Sequence, residues 1–289
     1  MAILGHFLAF ASVFIWSSLY VSTKILLDFL TPLELMILQF SFGYVLLLAL
    51  KPKILPFVWK NELLFALAGL SGICIYNLFL NLAMEQTFAS NVSIIIATAP
   101  LFAGIFAYFL KLERLSAYFF IGFLIAICGI AFLNFSDLRA ASFNFLGDLF
   151  ALISSIGWGL YSVIIALMAK GRDLLLSTRR IIFYGLIFSA PSLLALDFNP
   201  NFNAFLNFKF SANFIFVASF SSAFCFLAWN KATHLIGSVK TNIYVYLTPL
   251  FTIIVAYFAL GENIGFLGIF GGILTLSGVA ISMKNNRKF

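Results

Sequence analysis

Serine, tryptophan and tyrosine side chains recur at helical spacing in two long apolar stretches of the sequence. The first stretch contains Ser12, Trp16 and Tyr20, and the second contains Ser154, Trp158 and Tyr161. Residues about four positions apart fall on one face of a helix. Two such faces, each with aromatic rings and hydroxyl groups, could bind a small amphipathic solute. The alternative is that the rings are core packing or interface anchors, although their mid-stretch position disfavours an aromatic belt.

Amides and further tyrosines occur in other apolar stretches, where hydrocarbon would penalise them. Either hydrogen bonds between helices or a hydrated cavity must satisfy these groups. Asn81 recurs as Asn230 in the second half of the chain, which favours a cavity. We therefore predict a substrate-binding set that comprises Trp16, Tyr20, Tyr76, Asn77, Asn81, Asn91, Trp158, Tyr161, Asn230, Asn242 and Tyr246.

Two prolines, Pro100 and Pro249, lie inside apolar stretches. Each removes one backbone hydrogen bond and frees the carbonyl four residues earlier, at Ile96 and Val245 respectively. We expect both helices to be kinked. The recurrence in both halves favours a hinge, and the alternative is a static packing kink.

The sequence has few groups suited to catalysis or metal binding. His6 and His234 lie near opposite ends of the chain, with neither an HExxH pattern nor a carboxylate partner. The acidic residues are mainly at the ends of apolar stretches, so no proton or sodium relay is evident, and Glu85 is the best of a weak set. Glu113 and Glu262, each in a tight turn, are predicted to cap helices or anchor turns. We predict no enzymatic activity, no cofactor and no bound metal.

The composition requires lipid as the main solvent. Apolar residues make up 63% of the 289 positions and charged residues only 9%, which is more apolar surface than a soluble domain of this size buries. A membrane-spanning helix needs about 20 apolar residues. We place such spans at residues 5–27, 33–50, 62–82, 91–110, 115–135, 147–168, 180–196, 212–230, 241–260 and 264–283. The predicted fold is an all-α integral membrane protein with ten transmembrane helices.

The basic residues predict the orientation of these spans. If the N-terminus is cytoplasmic, 14 of the 17 lysines and arginines lie on the cytoplasmic side, and only Lys24, Arg139 and Lys209 lie outside. Cytoplasmic connections carry such an excess of positive charge. Both termini are therefore predicted to be cytoplasmic, and the net charge of +7 needs no nucleic-acid partner to explain it.

An internal repeat divides the chain. A shift of 149 residues superimposes Pro100-Leu101-Phe102 on Pro249-Leu250-Phe251, and it also aligns Glu113 with Glu262 and two pairs of glycines. We predict two five-helix repeats, residues 1–139 and 140–289. Because five is an odd number, the second repeat would enter the membrane from the opposite side, giving inverted repeats that suit alternating access. The glycines at 265, 268, 271 and 272 predict close helix packing within the chain or a homodimer interface.

The pattern P-L-F-x5-Y-x4-E-x8-G-x6-G, present at Pro100 to Gly129 and again at Pro249 to Gly278, resembles the signature of the drug/metabolite transporter superfamily. More narrowly, the chain is similar to the EamA-like ten-helix carriers. The resemblance covers essentially the whole sequence. One departure is Gln39, where family members often have an arginine; the second repeat keeps Arg179 or Arg180.

The resemblance implies a metabolite or amino-acid exporter of the bacterial inner membrane, with a central cavity lined by spans 1, 3, 4, 6, 8 and 9. The expected partners are a small-molecule substrate and membrane lipid, and the chain would be a monomer or a homodimer. A flippase for a lipid-linked sugar, built on the same scaffold, is the alternative function.

Overall fold

The computed structural model describes residues 2–114, 116–137, 144–168, 173–195, 198–236, 241–262, 265–282 and 287–288. Most of these residues are helical, because an apolar segment in lipid must satisfy its backbone hydrogen bonds internally. The α-helices are α1 (Ala2–Leu26), α2 (Pro32–Leu50), α3 (Trp59–Ala68), α4 (Tyr76–Gln86), α5 (Ala89–Ile96), α6 (Ala99–Phe109), α7 (Ala117–Asp137), α8 (Phe145–Leu167), α9 (Leu174–Ser189), α10 (Ser192–Ala195), α11 (Phe208–Ile215), α12 (Phe226–Ile236), α13 (Thr248–Leu260) and α14 (Phe266–Ser282).

Shorter elements connect these helices. The π-helix π1 (Gly69–Ile75) joins α3 to α4, and π2 (Phe216–Cys225) joins α11 to α12. Within the described ranges, 3-10 helices span Phe202–Leu206 and Ile243–Leu247. Strands β1 (Glu113–Arg114) and β2 (Arg287–Lys288) form a short antiparallel pair.

Several helical stretches match the thickness of a bilayer. Within the described residues, six are long and apolar enough to cross a membrane, namely Ala2–Leu26, Pro32–Leu50, Asn61–Gln86, Ala89–Phe109, Phe145–Leu167 and Phe208–Ile236. Three shorter apolar helices cover Ala117–Gly129, Tyr244–Leu260 and Phe266–Ser282. Large apolar side chains such as Phe7, Phe109 and Phe258 are exposed on their outer faces, as expected for surfaces that contact lipid.

The helix that corresponds to the seventh predicted span, 180–196, is α9, and it begins before residue 180. Helix α9 begins at Leu174, because the carboxylate of Asp173 accepts a hydrogen bond from Leu176 N at 3.1 Å and caps the first turn. Arg179 and Arg180 therefore lie inside the helix rather than in the preceding connection. The predicted start of this span, at residue 180, is therefore wrong.

Departures from α-helix occur in pairs that are 149 residues apart. When the sequence is shifted by that number, π1 overlaps π2. The helix is also interrupted at Ala97 and Thr98, between α5 and α6, and the equivalent residues of the second half belong to the 3-10 helix before α13. The two halves of the chain thus share their irregularities as well as their apolar pattern.

Helices α7 and α14 pack against each other along glycines. A Cβ atom on Gly122 would lie 2.2 Å from the carbonyl oxygen of Gly278, and a Cβ atom on Gly129 would lie 2.7 Å from that of Gly271. Gly122 is equivalent to Gly271 at the 149-residue shift, and Gly129 is equivalent to Gly278. The contact between Gly122 and Gly278 is therefore equivalent to the contact between Gly271 and Gly129.

The neighbours of other helices are exchanged in the same way. Helix α1 packs against α12 and α13, whereas α8 packs against their first-half equivalents, α4 and α6. Likewise, π2 packs against α2, and π1 packs against α9. The main apolar core lies where these helices of the two halves meet.

Candidate functional site

Aromatic rings from four helices meet in the core. We call this set the aromatic cluster; it comprises Trp16, Tyr76, Trp158, Tyr161, Phe226 and Trp229. The ring centroid of Trp16 lies 5.3 Å from that of Trp158 and 5.3 Å from that of Trp229. Trp158 also lies 4.8 Å from Tyr76. Rings at these separations and tilts attract each other beyond simple burial of apolar area.

The cluster contains four members of the predicted binding set, Trp16, Tyr76, Trp158 and Tyr161. Tyr20, a fifth member, is buried beside it and interacts with the hydroxyl group of Tyr76. Sequence reasoning missed Phe226 and Trp229. Trp229 directly precedes the predicted Asn230 and could have been found from that position, whereas Phe226 is one of 38 phenylalanines and carries no distinguishing signal.

Two serine hydroxyl groups connect the helices around the cluster. Ser154 Oγ on α8 donates to the carbonyl oxygen of Tyr76 at 2.7 Å, and Ser12 Oγ on α1 lies 3.5 Å from that of Cys225. Tyr76 and Cys225 are 149 residues apart, and Ser12 and Ser154 have matching places in the two Ser/Trp/Tyr faces, so the two contacts correspond. Ser12 Oγ also donates to Leu8 O, at the shorter distance of 2.8 Å. Trp16 Nε1 on α1 donates to the carbonyl oxygen of Ser221, inside π2, at 3.2 Å.

A buried hydrogen-bond chain extends from the cluster toward α9. The hydroxyl group of Tyr161 donates to Asn230 Oδ1 at 3.1 Å, and Asn230 Nδ2 donates to Thr178 Oγ1 at 3.1 Å. A cavity of about 10 Å³, roughly the space of one water molecule, lies beside Asn230. Its other lining residues are Ser177, His234 and the apolar Ile165, Met168, Leu174 and Ile181. Ser177 Oγ is buried and has no hydrogen-bond partner in the described part of the chain. The predicted residue Asn230 thus reaches both the cluster and a small cavity with a mostly apolar lining.

Two other predicted amides bind backbone carbonyls. Asn77 Nδ2 donates to Gly72 O at 2.9 Å and to Ile73 O at 3.2 Å, both within π1. Asn81 Nδ2 donates to Pro32 O at 3.1 Å, at the start of α2. The Asn81 contact matches the first alternative for such groups, a hydrogen bond between helices. Asn77 instead bonds within its own helical span, Asn61–Gln86.

The remaining predicted residues are distributed around this centre. Asn91 in α5 and Asn242 before the 3-10 helix are both buried. Tyr246 packs against a separate, smaller apolar group that includes Leu101 and Phe119. The structure therefore does not bring Tyr246 into the aromatic cluster.

Both predicted prolines lie at helix interruptions. Pro100 occupies the first turn of α6, after the break at Ala97 and Thr98, and Pro249 occupies the first turn of α13, after the 3-10 helix. Thr98 Oγ1 donates to Ile95 O and also lies 3.0 Å from Ser155 Oγ on α8. The break in the first half is thus tied to the helix that carries Trp158.

Comparison with known proteins identifies the class of protein to which this arrangement belongs. The model of the EamA-like transporter family matches residues 3–135 and again residues 145–284. The chain belongs to the EamA-like transporter family. It is therefore a multi-pass membrane protein with the fold and general activity class of a transporter.

Relatives extend over most of this EamA-like chain. An uncharacterized transporter of Archaeoglobus fulgidus is 29% identical over 96% of both proteins. The uncharacterized transporter YyaM of Bacillus subtilis is 26% identical, covering 79% of this chain and 77% of that protein. A WAT1-related protein of Arabidopsis thaliana, described as chloroplastic, is 26% identical over 78% of this chain and 55% of its own length. One solved crystal structure has a similar fold, with a TM-score of 0.66 at 18% identity, covering 96% of this chain and 94% of that one.

At one end of this EamA-like bundle, two charged side chains bind the link between α4 and α5. The carboxylate of Glu262 accepts hydrogen bonds from Ala89 N at 2.9 Å and from Ser90 N at 3.1 Å. Lys24 Nζ donates to the carbonyl oxygens of Met84 and Thr87. The prediction that Glu262 caps a helix is confirmed, whereas the side chain of Glu113 lies outside the described side chains.

At the opposite end, α9 binds the connection between α2 and α3. Arg179 donates to Lys51 O at 2.6 Å, and Arg180 donates to Leu55 O at 2.7 Å. Asp173 forms an ion pair with Lys51, and this hydrogen-bonded pair lowers the pKa of the Asp173 carboxyl group from its ordinary value. The second repeat keeps its basic residue at Arg179 or Arg180, and both side chains anchor this connection rather than face the aromatic cluster.

Among the residues that the structure describes, no group of three or more histidine, cysteine or acidic side chains could hold a metal ion. Cys74 and Cys225 are buried and Cys128 is exposed, each as a free thiol. The groups available at the cluster are therefore aromatic rings, hydroxyls and amides, which bind a solute through stacking and hydrogen bonds.

Proposed function

We propose that this chain is a secondary transporter that exports a small metabolite, such as an amino acid, by alternating access. The observation that carries the proposal is the contact between Trp16 and Trp158, the equivalent tryptophans of the two halves, inside one aromatic cluster. A solute that binds between them contacts both halves at once. Its binding energy can then favour movement of one half against the other.

The proposed architecture is ten transmembrane helices arranged as two inverted five-helix repeats. The glycine contacts between α7 and α14 support it. A two-fold axis that superimposes one repeat on the other would also superimpose the contact of Gly122 with Gly278 on that of Gly271 with Gly129. The matching contacts of Ser154 Oγ with Tyr76 O and of Ser12 Oγ with Cys225 O also support it. Inverted repeats place a substrate site where the halves meet, near the middle of the membrane.

The interrupted helices supply candidate hinges. Pro100 and Pro249 start α6 and α13 after the paired breaks, where fewer backbone hydrogen bonds resist bending. We propose that both prolines act as hinges when the cluster opens. The remaining predicted residues, Asn91, Asn242 and Tyr246, lie on the same two spans and would contact substrate only after such a movement.

We also propose a location in a bacterial inner membrane. The distribution of lysine and arginine supports an orientation with both termini cytoplasmic. In this orientation, Glu262 and Lys24 close the outer end, and Arg179 and Asp173 lie at the cytoplasmic end. The cavity beside Asn230 then lies on the cytoplasmic side of the cluster, which is the side from which an exporter takes its substrate. The transporter would be a monomer or a homodimer, and it would need membrane lipid but no cofactor.

Counterflow in proteoliposomes tests the proposal. Vesicles preloaded with a mixture of unlabelled amino acids should accumulate a labelled amino acid, and the variants Trp16→Ala and Trp158→Ala should each lose about tenfold in rate because a ring stacking contact is removed. Phe258→Ala is the matched control, because that ring is exposed on the outside of α13. Wild-type transport rates in both tryptophan variants would show that the aromatic cluster is not the substrate-binding site.

The same preparation distinguishes the flippase alternative. A true substrate raises the thermal stability of the protein, since it binds the folded state preferentially. If a polyprenyl-linked sugar stabilised the protein and amino acids did not, the result would favour a lipid flippase over an exporter of a soluble metabolite.

A further inference from the structure

The connection between α2 and α3 exposes apolar and basic side chains side by side. We call residues 51–59 the 51–59 segment. Ile54, Phe57 and Trp59 are 78, 62 and 80% exposed, and the rings of Phe57 and Trp59 lie 6.1 Å apart. Lys53 is also exposed, and its ammonium group has no hydrogen-bond or ion-pair partner in the described part of the chain. Such a combination is unfavourable in water, because three large apolar groups remain hydrated.

The segment is held in place by α9. Arg179 donates to the carbonyl oxygens of Lys51 and Lys53, and Arg180 donates to that of Leu55. These bonds engage the backbone of the segment and leave its apolar side chains exposed. The exposed surface is therefore a feature of the folded protein rather than of a loose loop.

Trp59 continues a face of its helix that meets lipid. Trp59, Leu63 and Leu67 follow one another at intervals of four residues, so they lie on one helical face, and their exposure is 80, 61 and 40%. In a membrane-spanning helix, an exposed stripe of large apolar residues faces the acyl chains. A tryptophan at the end of such a stripe lies at the level of the headgroups.

The surroundings of the segment carry more positive than negative charge. Lys51 pairs with Asp173, and Arg180 pairs with Glu62. Among the described residues, Lys53 and the buried Arg179 have no carboxylate partner. Uncompensated basic groups beside the membrane surface attract anionic headgroups.

We propose that the 51–59 segment is a docking site for anionic phospholipids, with Trp59 at the interface and Lys53 beside the lipid phosphate. The site does not depend on which solute the protein transports. It also gives α9 a second role, since Arg179 and Arg180 hold the lipid-binding segment in position.

Quenching of tryptophan fluorescence by brominated lipids tests the proposal. Trp59 is the highly exposed tryptophan of the chain, whereas Trp16, Trp158 and Trp229 lie in the aromatic cluster. In phosphatidylcholine vesicles, brominated phosphatidylglycerol should quench Trp59 more strongly than brominated phosphatidylcholine does. We expect Lys53→Gln to reduce this preference about fivefold, the effect of one basic group near an anionic surface.

Matched variants keep the result specific. Trp59→Phe should abolish the lipid-dependent quenching, which assigns the signal to this residue. Lys209→Gln should leave the preference unchanged, because Lys209 lies beside another exposed aromatic residue, Phe208, at the start of α11. Equal quenching of wild-type protein by the two lipids, or an unchanged preference in Lys53→Gln, would overturn the proposal. Displacement of the lipid by inorganic phosphate at constant ionic strength would identify a free-phosphate site instead.

Discussion

At the scale of single residues, several of the described charged side chains hold separate segments together. Glu262, from the second half, binds two backbone N–H groups at the start of α5, in the first half. Those N–H groups have no partner within their own helix, and a carboxylate also interacts favourably with the positive end of the helix dipole. One side chain thereby connects the two halves at one end of the bundle.

Replacing Glu262 should weaken this connection. We expect Glu262→Ala to lower the free energy of unfolding by about 1–3 kcal/mol, because buried N–H groups lose a charged acceptor, and Glu262→Gln to have a smaller effect. Thermal unfolding in detergent measures the change. Glu85→Gln is the control, since Glu85 is exposed and bonds only to the neighbouring Gln86 among the described residues. Equal melting temperatures for wild type and Glu262→Ala would contradict the capping role.

The ion pair between Lys51 and Asp173 should make stability depend on pH. Because the pair lowers the pKa of Asp173 in the folded state, it stabilises the fold above the unfolded value of about 3.9 and loses this effect as pH falls through the folded pKa. The contribution is below about 1 kcal/mol, since both groups are partly exposed.

Lys51→Gln tests this linkage. The difference in the free energy of unfolding between wild type and variant should be largest near neutral pH and should shrink as the solution is acidified toward pH about 3. Chemical denaturation at a series of pH values measures it. A difference that stays constant over this range would rule out the ion pair as its source.

At the scale of elements, close packing of α7 on α14 depends on the absence of side chains. A Cβ atom on Gly278 would lie 2.4 Å from the backbone nitrogen of Ala126, a distance at which the helices must move apart. In hydrocarbon there is no hydrophobic driving force between helices, so their association depends on close van der Waals contacts such as these.

Gly278→Ala should therefore destabilise the protein by about 1–3 kcal/mol through overpacking. Gly265→Ala serves as the matched control, because a Cβ atom there would have no atom within 4 Å. Melting temperatures of the two purified variants provide the comparison. Similar values for both would show that α7 and α14 tolerate separation.

At the scale of the whole molecule, the proposed orientation gives each end of the bundle a defined side of the membrane. Lys53 then lies in the cytoplasm and Lys209 lies outside. The prediction follows from the bias of basic residues toward cytoplasmic connections, and the interleaved contacts of the two halves do not depend on it.

Cysteine labelling in intact cells tests the orientation. With Cys74, Cys128 and Cys225 replaced by serine, a membrane-impermeant maleimide should label Lys209→Cys directly and should label Lys53→Cys only after the cells are permeabilised. The opposite labelling pattern would show that both termini lie outside, and the proposed direction of transport would then be import.

Sequence reasoning predicted much of the helix pattern and part of the candidate site. It selected Trp16, Tyr76, Trp158 and Tyr161, which share the aromatic cluster. It failed to separate them from Asn77 and Asn81, whose amides bind backbone carbonyls. A polar residue in an apolar helix must be satisfied in either case, so its identity alone does not reveal its partner.

The amino-acid sequence by itself determined that lipid is the solvent, that helices must span it and that two similar halves succeed each other. These properties follow from local apolar content and from the need of each backbone segment to bond internally. Only the tertiary structure decided that Phe226 and Trp229 complete the cluster, that Glu262 binds the start of α5, and that Arg179 holds the 51–59 segment. Those contacts join residues far apart in the chain, and their geometry depends on how whole helices pack.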